Sequence, residues 1–381
     1  MKRLAILCVW LTVLVCPAAA LPQSGLESAA AAQNKSQLPS PVDEDQIDQR
    51  IDLGATAAGE QSDIPPDSAY GAFQRGYFLT AFALALDRAK AGDPKSETLL
   101  GELLSRGLGV KQDFKEAASW YELAAKAGDR EALYALAQIS LDGRGVEPDP
   151  KKAADYFQQA GEKGSMVAWR ELAFLLLQGQ GRDKNPMLAA AYLRKAAMDG
   201  DMDAQFALAG LYSEGVGVAA DDAQAARWYA EASKNGHVGA QVEYAILLFN
   251  GRGVTKDETL AAAWLQQAAA SDNPLAQVRL ARLYADGRGV KQDNAQAARW
   301  YAIAKAKGFA DEYLDTWMDR LDKPARDAAR KAADDWLGSP AARVAQAAQG
   351  AVDDAPLAGN PVASAGAAEG KPAGTEVPPG N

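Results

Sequence analysis

Six times along this chain, two glycines separated by one residue recur, each time 36 residues after the last. The first members are Gly107, Gly143, Gly179, Gly215, Gly251 and Gly287, and the second are Gly109, Gly145, Gly181, Gly217, Gly253 and Gly289. A strict period of this size is the mark of stacked copies of one small unit. Each copy buries its apolar face only against its neighbours, and such arrays mostly offer surfaces to partners.

One copy, Asp203 to Gly236, shows the grammar. Ala204, Phe206, Ala207, Leu208, Leu211 and Tyr212 follow helical spacing. Gly215 ends that helix, since glycine enters the left-handed conformation at low cost. Asp221 is a good amino-terminal cap for a second helix, in which Ala225, Trp228, Tyr229 and Ala232 share one apolar face, and Gly236 stops it. Elsewhere the cap reads Asp113, Asp149, Asn185, Asp257 and Asp293, and the large position reads Trp120, Tyr156, Tyr192, Trp264 and Trp300. Small residues follow four places on, from Ala124 to Ala304. In the first helices Leu100, Leu136, Leu172, Leu208, Tyr244 and Leu280 each precede Gly or Ala. The large position reads as core, so Trp228→Ala is expected to cost about 3–5 kcal/mol. The third turn departs from the pattern. It carries Arg182 where the others carry valine, and without its apolar plug it reads as a weak point or a recognition feature.

The flanks differ. Residues 1–20 read as an export signal: Lys2 and Arg3, the apolar run Leu4 to Val15, then Pro17 and Ala18 to Ala20. The apolar run is short for a bilayer span, so no membrane insertion is expected after cleavage. Residues 21–66 lack Phe, Tyr and Trp and read as a disordered linker, and residues 338–381 as a disordered tail. Residues 67–94 read as a degenerate leading repeat broken near Gly76, 95–309 as six full repeats, and 310–337 as capping helices with Trp336 as anchor.

Composition narrows function. Both cysteines, Cys8 and Cys16, lie within the signal, so no disulfide stabilises the exported chain. Without Lys2 and Arg3 the net charge passes from −10 to −12, with no basic cluster. That argues against nucleic acid as a partner. The single histidine, His237, reads as a solvent-facing loop residue. With no second histidine and no remaining cysteine, a soft metal site lacks its ligands, and Ser/His/Asp or Cys/His catalysis would have to use His237 alone, so no catalytic residue, cofactor or metal is expected. The glycine pairs follow helices and lack the Lys-Ser/Thr of a phosphate loop.

The run Leu208-Ala209, Gly215-Val216-Gly217-Val218, Asp221, Ala225-Ala226, Trp228-Tyr229, Ala232, Gly236 resembles the Sel1-like repeat, a relative of the tetratricopeptide repeat. The resemblance implies an all-α fold, an α/α right-handed solenoid of helix pairs with degenerate end caps, serving as an adaptor or scaffold. Cysteine-rich secreted members, described as binding or hydrolysing β-lactams, use a disulfide in each repeat, which this chain lacks. Periplasmic regulators of the ExoR type, which restrain a sensor kinase, fit an exported chain without cysteines better. The reading is an exported, monomeric, non-enzymatic binder of a protein or peptide, most simply periplasmic. An envelope-remodelling or β-lactam-hydrolysing enzyme is the alternative, and a structural spacer the third.

If the units stack as tetratricopeptide pairs do, the first helices line the concave side. The positions two before, two after and five after Leu172 and its equivalents then face a groove. The partner-binding candidates are Tyr134, Arg170, Phe174, Leu177, Phe206, Ile246, Phe249 and Arg282. Val242, Val278 and Ala285 fall on the same positions. An exposed apolar strip with aromatic and arginine anchors is the usual form of a protein-binding surface.

Overall fold

The computed structural model describes residues 68–338. The expectations for residues 1–20, for 21–66 and for the tail from 339 onward lie outside the described residues. Sixteen helices and no strands occur among the described residues. They are α1 (Ser68–Gln74), α2 (Phe78–Lys90), α3 (Pro94–Arg106), α4 (Phe114–Lys126), α5 (Arg130–Asp142), α6 (Pro150–Glu162), α7 (Met166–Gln178), α8 (Pro186–Met198), α9 (Met202–Glu214), α10 (Asp222–Lys234), α11 (Val238–Asn250), α12 (Glu258–Ala270), α13 (Pro274–Asp286), α14 (Asn294–Ala306), α15 (Glu312–Asp319) and α16 (Lys323–Gly338). From α3 to α14 every helix has 13 residues and packs chiefly on the helix before it and the helix after it. This is an α/α solenoid of helix pairs.

Local chemistry sets each boundary. The first glycine of each pair is the left-handed C-cap of a first helix; at Gly215 φ is 71° and its N–H returns to the Leu211 carbonyl. Asp113, Asp149, Asn185, Asp221, Asp257 and Asp293 each accept the backbone N–H three residues on, which satisfies a donor that the helix leaves free. The second glycine has another task. A Cβ on Gly217 would lie 2.2 Å from the Pro186 carbonyl oxygen, at the start of the previous repeat's second helix. These turns therefore press directly on neighbouring backbone.

The core follows the small-residue rule. Ala124, Ala160, Ala196, Ala232, Ala268 and Ala304 are fully buried, as are Leu100, Leu172, Leu208 and Leu280. The large position of the second helix needs correction. Trp120, Tyr156, Tyr192 and Trp228 are only half-buried. The deepest side chain comes one residue later, at Tyr121, Phe157, Leu193, Tyr229, Leu265 and Tyr301. One residue turns the helix by 100°, enough to move a side chain from the middle of the packed face to its rim. Trp264 and Trp300 are buried at this position as the sequence implies, and Trp336 of α16 covers Trp300 edge-on at 5.4 Å. The expected cost of Trp228→Ala accordingly falls to about 1–3 kcal/mol.

Two departures from the repeat have their own supports. Arg182, which reads as a weak point in the sequence, donates to Gln158 Oε1 at 2.7 Å and Asp155 Oδ1 at 2.8 Å on α6. A polar clamp between repeats replaces the apolar plug. Asp272 stands where the other repeats have glycine, and its φ of 68° is the only positive value outside glycine among the described residues. Its carboxylate accepts from Lys307 and, at 2.7 Å, from Trp336 Nε1, so it fastens the closing helix to the array.

Candidate functional site

The candidate residues all lie on first helices at equivalent positions. Tyr134, Phe174, Leu177, Phe206, Ile246 and Phe249 are half-buried and pack against the core from its edge. Val242, Val278 and Ala285, which share their positions, are buried and belong to the core. On α11 and α13 the register is therefore mixed, since Ile246 and Phe249 stay half-buried and Arg282 is 49% exposed.

Both arginines are committed within the protein. Arg170 Nη1 donates to Asp201 at 2.7 and 2.9 Å and to Asp203 at 2.9 Å, and Nη2 donates to Glu171 at 3.1 Å. Arg282 pairs with Asp311, which caps α15, and lies over the Tyr313 ring. Each joins one repeat to the next element. Further interlocks of this kind run across the array: Thr98 donates to Asp129 at 2.9 Å, and Phe206 stacks on His237 at 4.2 Å.

His237 is not a solvent-facing loop residue. It caps α11: its Nδ1 accepts the Ala240 N–H at 3.0 Å, and its side chain is 19% exposed. Asp93, Asp129, Ser165, Asp201 and Asn273 cap the other first helices in the same way. The signal was present in the register, because five of these six positions hold Asp, Ser or Asn, the strongest cap formers. To accept at Nδ1 the imidazole must be neutral, with its proton on Nε2, which faces Asp203 Oδ1 at 3.7 Å.

Burial lowers the His237 pKa below its ordinary value of 6.5, against an opposing pull from Asp203. A depressed pKa in the folded state stabilises above the unfolded value, and this contribution is lost as pH falls through the folded value. Acidification below 6.5 should therefore weaken the junction between α9 and α11. His237→Asn keeps a capping side chain and removes the titration. Thermal unfolding at pH 7.5 and pH 5 should show a smaller acid-induced drop in Tm for the variant. An equal drop would exclude His237 as the source.

Among the described residues no group of three or more His, Cys, Asp and Glu side chains is placed to hold a metal ion. No described helix is long and apolar enough to cross a membrane.

Comparison with known proteins agrees with this architecture. The Sel1 repeat family model matches residues 94–129, 130–165, 170–201, 203–237, 238–273 and 274–309. Among solved structures, a Sel1 repeat protein from Oxalobacter formigenes is similar at 24% identity with a TM-score of 0.57, covering 63% of this chain and 98% of that one. A protective antigen of uropathogenic Escherichia coli displaying an SLR fold aligns at 20% identity with a TM-score of 0.38, over 83% of this chain and 91% of the other. No curated protein is similar enough to match. With six matched repeats spanning more than half its length, the chain belongs to the Sel1 repeat family.

Proposed function

We propose that the protein is an exported, non-enzymatic scaffold that holds a protein or peptide partner against the first-helix face, as a periplasmic regulator of an envelope signalling system. The supporting observation is the row of half-buried apolar side chains, Tyr134, Phe174, Leu177, Phe206, Ile246 and Phe249, carried from α5 to α11. Such residues are fixed by the core beneath them yet keep a face toward solvent, which suits rigid anchors in an interface. The amino-terminal pattern of Lys2, Arg3 and Leu4 to Val15 supports export.

A photo-reactive residue placed at Phe174 or Ile246 should capture one specific envelope protein in cells, whereas the same group at Lys115, on the exposed side of α4, should not. Absence of capture from any first-helix position would end this reading. The double substitution Phe174→Ser and Phe249→Ser should abolish that capture, while each change lowers stability by about 1–2 kcal/mol, as partial burial requires. Global unfolding of the double variant would instead make both residues core.

A further inference from the structure

The turn after every other second helix, from Gly92 to Gly308, carries a glycine with positive φ. Asp272 holds a side chain in that strained conformation. The turn itself gives no reason for the exchange, since nothing lies within 4 Å of a Cβ added to Gly236 or Gly308 on either side of it in the series. The reason lies in what the carboxylate reaches. Besides Lys307 and Trp336 Nε1, it accepts from Gln277 Nε2 at 3.5 Å. Lys307 also donates to the Asp272 carbonyl at 3.2 Å, and its side chain is 17% exposed. One residue thus ties the end of α14 and the end of α16 to a turn two helices back.

Trp336 falls 36 residues after Trp300, so α16 is in register with a seventh second helix. Its packing is different. Each second helix from α4 to α12 packs on the first helix that follows it, whereas α14 packs closely on α16. α16 therefore stands against α14 where a further first helix would pack. Its hold is narrow. Of its 16 residues, Ala329, Ala333 and Trp336 are the buried ones, against six in the 13-residue α14. Two of these three are alanines, so Trp336 supplies most of the buried area, and its indole N–H is bound to Asp272. A segment with so few buried apolar side chains opens ahead of the array it covers.

The leading end of the array is apolar. α1 packs chiefly on α2, and Tyr70, Tyr77 and Leu79 are exposed. We propose that α16 is a guard helix, latched by Asp272, that keeps a second copy of this chain from stacking its leading pair α1–α2 on α14. Continuity with the repeat-to-repeat interface identifies the occupant, because the contact would extend the array by the packing already used between its pairs. Such a contact is head-to-tail and does not close on itself, so unguarded copies would add end to end.

Two substitutions in the full chain test it. Asp272→Gly removes the carboxylate and restores the residue that the other turns carry, so the turn keeps its conformation. Amide exchange of α16 should rise about tenfold, the factor that one hydrogen bond to a charged group supplies, while α3 to α12 stay protected. Ala333→Asp places a charge in the buried stripe of α16 and should free that helix outright. Light scattering should then show a mass that grows with concentration, and Tyr70→Lys added at the leading end should return the chain to a monomer. Protection of α16 that survives either substitution overturns the latch. Loss of protection that spreads to α3–α12 makes α16 part of the array and overturns the guard. So does a freed α16 with no gain in mass, or a gain in mass that Tyr70→Lys leaves intact.

Discussion

Gly217→Ala should destabilise the array by about 2–6 kcal/mol, the sum of about 1–3 for an alanine held in the left-handed region and about 1–3 for overpacking. The second part arises because the new methyl would sit 2.2 Å from the Pro186 carbonyl oxygen and 2.3 Å from its carbon. Backbone that starts a helix cannot withdraw without moving its whole repeat. Gly236→Ala is the control. Its φ is 90°, but nothing lies within 4 Å of the added methyl, so only the conformational cost of about 1–3 kcal/mol remains. Chemical unfolding of both variants reads the difference. Equal losses would mean that the second glycine of each pair serves the turn alone and not the contact between repeats.

Phe157→Ala should cost about 3–5 kcal/mol. The side chain is 1% exposed and its ring lies tilted against Tyr134 at 5.6 Å, while Ala153, Ala154 and Ala160 around it are too small to fill the cavity. Tyr156→Ala, one residue earlier, removes a half-buried ring from the rim and should cost about 1–2 kcal/mol. Because each repeat touches only its neighbours, faster amide exchange should spread through α5 to α7 and leave α12 to α14 unchanged. A larger loss at Tyr156 than at Phe157 would reverse the assignment of core and rim.

The repeat itself was legible because its determinants are local. A glycine ends a helix through its own φ, and an aspartate caps one through a bond to the third residue on, so six copies could be aligned by position alone. The first-helix caps were equally local, and Asp129, Ser165 and Asp201 already spelled them; His237 was obscured because imidazole is an unusual cap. Which member of the Trp228–Tyr229 pair lies deeper was not legible, because both sit on one apolar face and the choice depends on the rotation of the helix against its neighbours. Arg182 illustrates the same limit. A missing apolar plug looks like a defect until Asp155 and Gln158 are brought to it from the preceding repeat. Among the candidate residues, Arg170 and Arg282 looked like exposed anchors, and only the stacking of successive units placed Asp201, Asp203 and Asp311 beside them.

The amino-acid order alone determined the period, the helix ends and the class of fold, since each depends on interactions within a few residues along the chain. Only the packing of one pair on the next decided which side chains are core and which are interlocks. Those outcomes depend on distances between residues tens of positions apart, which a 36-residue spacing places in neighbouring units without saying how closely they meet.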